Sequence, residues 1–221
     1  RQMCIRDSTG LVGALLATKS SYSTIPLSLQ FLTIALTLIP VSLLMGKFGR
    51  RPMFLIGSMA AFLGCLTIAF AIIDKSFSLF ILGSILLGFS QANQQFYRYA
   101  AADNVSNNQK SKAISLVLAG GIIAAVVGPE VSRYSFDLLP DYIYLATYLL
   151  AALIQILNFI ILIFIKIKKP EVRAQKLRPL NEILMQKILI IAILAAAVGY
   201  SLMSFITVSY THLTLPTMLM V

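Results

Sequence analysis

Gly46-Lys47-Phe48-Gly49-Arg50-Arg51-Pro52 carries three cations, no acid and two glycines. It stands between two apolar runs, Ser23 to Met45 and Met53 to Ile73. Each run meets the roughly 20 residues that an α-helix needs to cross the hydrocarbon core of a bilayer. A loop of seven residues predicts two antiparallel helices lying side by side. Short loops rich in Lys and Arg stay on the cytoplasmic side, so the charge also predicts the hairpin's direction. Gly46 and Gly49 permit backbone angles that other residues resist, and Pro52 suits the first turn of the following helix.

The whole chain has the composition of this hairpin. It is 58% hydrophobic and 12% charged over 221 residues, with a mean hydropathy of +0.87. Soluble domains carry about 25% charged residues. The reading is an all-α integral membrane protein. The net charge of +10 is sorted into loops rather than gathered on one surface, which argues against a nucleic-acid partner. Cys4 and Cys65 offer neither a disulfide framework nor metal spacing, and one histidine cannot build a metal or catalytic cluster. No metal and no cofactor is expected.

In chain order, residues 1–8 and 208–221 resemble translated sequencing-adapter read-through and are set aside from fold reasoning. Thr9 to Thr18 reads as the end of a first helix, and residues 9–165 as one helical bundle. The second helix runs from Ser23 to Met45, with Pro40 expected to kink it and Gln30, Thr33 and Thr37 forming a polar stripe. The third, Met53 to Ile73, carries Gly57, Ala61 and Gly64 as a small face for close packing. The fourth is expected from Phe77 to Arg98, followed by a polar loop from Ala100 to Lys112. The fifth spans Ala113 to Ser132 and the sixth Tyr142 to Ile165. Residues 166–187 form a basic linker, and residues 188–207 a seventh helix.

Charge placement supports this layout. Thirteen of the 18 Lys and Arg residues fall in or beside the loops after the second, fourth and sixth helices. Only Lys19, Lys75 and Arg133 fall in the turns between them. The alternation predicts a cytoplasmic N-terminus. A plain topogenic role for the basic turn remains compatible with the same residues.

The turn, in its place after the second helix, resembles the motif of the major facilitator superfamily of secondary transporters, roughly G-x-L-A-D-R-x-G-R-R. Leu44, Lys47, Gly49, Arg50 and Arg51 match. Ser42 stands for the leading glycine, and Gly46 for the aspartate of the family's cytoplasmic latch. The resemblance implies six helices of a first half, a central linker, and the start of a second half lying beyond this chain. It further implies a small-solute carrier working by alternating access, in a bacterial plasma membrane, with a proton as its coupling ion. Gly128-Pro129 resembles the G-P signature of the drug-antiporter branch. Ser115, Ala124 and Ser132 stand where that branch has glycines.

In that family the first, fourth, seventh and tenth helices line the cavity. The polar end of the fourth helix, with Gln91, Gln94, Gln95 and Arg98 on one face, is the expected substrate wall. It should face the interior beside the first and fifth helices, near a kink at Pro129. Gln30 and Tyr200 complete the candidates. Glu130 is the one carboxylate that falls within a predicted helix, which makes it the candidate for proton coupling. The expected partners are the solute, membrane lipid and the missing second half. Half a carrier is expected not to transport alone. The competing class is a membrane-embedded enzyme acting on a lipid or prenyl substrate. Such enzymes need clustered Asp or a His/Glu metal site, and no D-x-x-D or H-E-x-x-H occurs. A channel would need filter-like rings, which the sequence lacks. Among carriers, nutrient or vitamin uptake and drug efflux both remain open.

Overall fold

A computed structural model describes residues 12, 13, 15, 16, 22–135, 138, 139, 141–165, 167, 186–199, 201 and 202. Helices account for the fold, and no strand occurs among the described residues. The first element, α1, comprises the helical residues 12, 13, 15 and 16. It is followed by α2 (Ile25–Phe48), α3 (Arg50–Ile73), α4 (Phe77–Gln94), α5 (Tyr97–Asp103), a 3₁₀ turn (Asn107–Gln109), α6 (Lys110–Ser135) and α7 (Leu145–Phe164). These lie in one compact unit, and a second unit contains α8 (Lys187–Gly199). By length and composition α2, α3, α6 and α7 can each cross a membrane. The protein is a multi-pass membrane protein.

The expected seven-residue loop is a single residue. Only Gly49 is non-helical between α2 and α3, at φ 94° and ψ 163°. That positive φ is where a side chain would be strained, so glycine lets the chain reverse within one residue. Lys47 and Phe48 close the last turn of α2, and Arg50, Arg51 and Pro52 open α3. Pro52 has no N–H, and the first turn has no use for one. α2 also continues through Pro40. The threonines of its expected polar stripe bond back to their own helix, Thr33 to Leu29 O at 2.8 Å and Thr37 to Thr33 O at 2.6 Å. Gln30 is buried.

α3 is the centre of the first unit and packs against α4 and α7, while α2 packs against α4. Its small face does what the sequence predicts. A β-carbon at Gly64 would lie 3.1 Å from Gly83 O, and one at Gly57 would lie 2.8 Å from Asn93 Cβ. The core divides into two clusters. One, at the Asp74 end, gathers Val12, Ile68, Ile72, Phe80, Tyr144 and Tyr148. The other, at the Gly49 end, gathers Val41, Met45, Met53, Phe54, Ala100 and Leu162.

The fourth helix departs from expectation. It ends at Gln94, turns at Gln95 and Phe96, and resumes as α5. Phe96 N–H bonds Asn93 O at 3.1 Å, a tightened i−3 bond at the break. The cause is tertiary: Tyr97 meets Phe54 edge-on with ring centroids 4.7 Å apart and hydrogen-bonds Asn158. The region expected as polar loop is therefore α5 and the 3₁₀ turn. α6 is longer than predicted at both ends, starting at Lys110 and reaching Ser135. The sixth span begins three residues late, because Tyr144 adopts a left-handed φ of 69° at the N-cap of α7. The seventh span is described from Lys187 to Gly199 and at Ser201 and Leu202. Its predicted end at Thr207, the terminal stretches 1–8 and 208–221 and most of the linker lie outside the described residues.

Candidate functional site

The cations of the turn meet acceptors from two other elements. Arg50 Nη2 lies 2.6 Å from Asp103 Oδ2, with side-chain exposures of 15% and 38%. Arg51 Nη2 donates to Ile163 O at the end of α7. Both arginines open α3, where the positive end of the helix dipole disfavours a cation. Asp103, the last residue of α5, offsets one; a carbonyl at the negative end of α7 offsets the other. The carboxylate that Gly46 does not supply beside Lys47 is thus supplied to Arg50 from α5. Two donors here, Arg50 Nη1 and Arg51 Nε, are buried with no hydrogen-bond partner. The sequence predicts Asp103 in a polar loop. Its signal was only that it is the one acid between the fourth and fifth spans.

The predicted substrate wall is divided by the break after α4. Gln91 is half-buried, and Gln94, the last residue of α4, is exposed. Gln95 is exposed in the turn, and Arg98 is half-buried on α5. The four therefore do not share one continuous helical face, and no hydrogen bond joins them among the described residues. The Arg98 guanidinium carbon sits 4.9 Å from the centroid of the Tyr99 ring, and its Nε is buried without a partner. Gln30 lies at the α2–α4 contact, where a β-carbon on Gly88 would come within 2.7 Å of its carbonyl oxygen. Its side-chain Oε1 is also buried and unpartnered. Tyr200 lies outside the described residues.

A polar cluster the sequence reading passed over lies between α3, α4, α5 and α7. Ser58 Oγ donates to Gln155 O at 3.1 Å, and Asn158 Nδ2 donates to Ser58 Oγ at 3.3 Å. Asn158 also reaches Tyr97. Asn93, 1% exposed, donates to Phe89 O at 3.0 Å, while its Oδ1 has no partner. The available signal was Gln155 and Asn158 three residues apart in an otherwise apolar span, on one helical face. Polar groups so deep in a membrane helix must find partners within the protein.

At the far end of α6 the Gly128-Pro129 pair makes no close approach to another helix through Gly128 among the described residues. Nothing lies within 4 Å of a β-carbon built on Gly128. Pro129 is buried, and the helix continues through it. Glu130 and Arg133 are both more than half exposed, 3.7 Å apart.

If Gln94 and Gln95 line the solute path that the family resemblance implies, replacing either by leucine should leave the fold intact and lower solute flux through the full-length protein by about ten-fold or more, the effect of leaving a polar solute's groups unpaired. Replacing buried Asn93 by leucine should reduce the yield of folded protein instead. Flux and monodispersity measured side by side separate the two effects.

Comparison with known proteins agrees with the basic turn and the helical layout. No solved structure matches the chain. Riboflavin transporter RfnT of Brucella anthropi is 33% identical over 201 residues, covering 89% of this chain and 50% of that protein. The chain thus spans about half the length of this curated relative. The profile of the Major Facilitator Superfamily, whose members are transporters rather than enzymes, matches residues 8–221. A family match over nearly the whole chain, on an all-α fold with the Gly49 turn in its expected place, makes this chain a member of the Major Facilitator Superfamily.

Proposed function

We propose that this chain forms the first half of a secondary transporter that moves a flavin-like small solute by alternating access. The observation that carries the substrate is the 33% identity to a riboflavin transporter over 89% of the chain. The residues fit that chemistry. Riboflavin is uncharged, with a flat aromatic ring system, imide and carbonyl groups, and a hydroxylated chain. The amides of Gln91, Gln94 and Gln95 both donate and accept hydrogen bonds, and Arg98 stacked on Tyr99 offers a planar surface. The reading makes the carrier an importer of a vitamin. Its coupling ion is a proton.

In this reading the Gly49 end of the bundle faces the cytoplasm. The Arg50–Asp103 pair stiffens that end, so that α3 and α5 move as one body when the halves rock about a midplane site. The partly exposed side chains of Arg50 and Arg51 are where the second half would dock in the inward-closed state.

The test is uptake of labelled riboflavin by the full-length protein in a strain unable to make or import it. Accumulation above the empty strain is expected. No accumulation, with the protein present in the membrane, would remove the flavin. Orientation is checked separately by single-cysteine labelling in a cysteine-free background. A cysteine at Lys75 should react with an impermeant reagent from outside, and one at Lys47 only after permeabilisation. The reverse pattern would overturn the orientation.

A further inference from the structure

Nothing in the local sequence breaks the helix after Gln94. From Phe89 to Asp103 there is no glycine, proline or β-branched residue, and glutamine and alanine are among the better helix formers. The backbone at the break is still close to helical, with Gln95 at φ −58° and ψ −24° and Phe96 at φ −88° and ψ −6°. A continuous helix is a small rotation away, so the break needs a hold from outside the segment. Tyr97 is the residue that is held. Its ring stands edge-on to Phe54 of α3, with centroids 4.7 Å apart, and it hydrogen-bonds the side chain of Asn158 on α7. Asn158 is itself fixed. Its Nδ2 donates to Ser58 Oγ at 3.3 Å, and Ser58, 2% exposed, donates to Gln155 O at 3.1 Å. Consecutive helical residues point about 100° apart. Holding Tyr97 toward α3 and α7 therefore sets the direction of Arg98, whose guanidinium carbon lies 4.9 Å from the Tyr99 ring centroid.

We propose that Asn158 is a positioning residue for transport. It holds Tyr97, and through Tyr97 the break, so that Gln95 and Arg98 reach the solute path in a direction that a continuous helix would not give them. Asn158 acts through Tyr97 and does not itself meet the solute. Its part in transport rests on the carrier reading above; its hold on the break does not.

The test is a double-mutant cycle in the full-length protein. Tyr97→Phe keeps the ring on Phe54 and removes only the hydroxyl. Asn158→Leu leaves Ser58 its bond to Gln155 O. Each should raise the KM for riboflavin uptake about five-fold, the worth of one hydrogen bond, with little change in the maximal rate. The two together should raise it no further than either alone, because both remove the same bond. A merely structural lesion would instead lower the maximal rate by removing working carriers and leave KM as it was. Spin labels at exposed Ser78 and Ser106, on either side of the break, report its geometry without any solute. In a cysteine-free background their distance distribution should shift or broaden in both variants. KM unchanged or raised additively, or a distance distribution that neither variant moves, overturns the proposal. If the unaltered protein takes up no riboflavin, the flavin reading fails instead, and the spin-label distances then decide whether Asn158 holds the break.

Discussion

Leucine in place of Gly83 will separate α3 from α4 and prevent the first unit from packing. A β-carbon at Gly83 would already stand 2.5 Å from Ile68 Cγ1, 2.9 Å from Gly64 O and 3.2 Å from Ile68 N. Two of those atoms are backbone of the central helix, which cannot step aside as a side-chain tip can. The contact is reciprocal, because Gly64 would meet Gly83 O at 3.1 Å. Relief requires the helices to move apart, with loss of the cluster around Ile68 and Phe80. The expected cost is at or above the upper end of about 1–3 kcal/mol for overpacking. It is measured as the fall in the denaturation midpoint of the purified chain. Gly128→Leu is the matched control. It has open space within 4 Å, so in this chain its effect should stay within about 0.5 kcal/mol. A stable Gly83→Leu chain would mean that α3 and α4 do not meet at these glycines.

The second large effect is expected at Arg50 and Asp103. Asp103→Ala leaves a guanidinium, 15% exposed, without its carboxylate. Breaking a fully buried pair costs about 3–5 kcal/mol, but Asp103 is 38% exposed, which brings the expected stability loss nearer to about 1 kcal/mol. Flux through the full-length protein should suffer far more, falling by about ten-fold or more if the pair holds the Gly49 end rigid. The exchange Arg50→Asp with Asp103→Arg distinguishes stability from function. It would put an acid at the start of α3 and a base at the end of α5, both favoured by the helix dipoles. Denaturation should therefore be restored to the starting value or beyond. Flux should remain low if the proposed docking of the second half uses the cation at position 50. Recovery of both would show that only the pairing matters.

Much of the fold was legible in the chain because the membrane makes the decisive energies local. An apolar run of sufficient length is a span whatever surrounds it, and a Lys or Arg in a short loop biases that loop alone. The spans, the small face of Gly57, Ala61 and Gly64, and the importance of Gly49 follow from neighbours in sequence. What escaped depends on residues distant in sequence. The break at Gln95 and Phe96 is paid for by Tyr97 reaching Phe54 and Asn158. Asp103 becomes the partner of Arg50 only when the end of α5 is brought to the start of α3. Ser58 meets Asn158 across 100 residues of chain. Helical periodicity placed Gln91, Gln94, Gln95 and Arg98 on one face, but periodicity assumes a continuous helix. The tertiary structure decided where that helix ends, because the side-chain contacts that stabilise the break come from α3 and α7, beyond the reach of any local pattern.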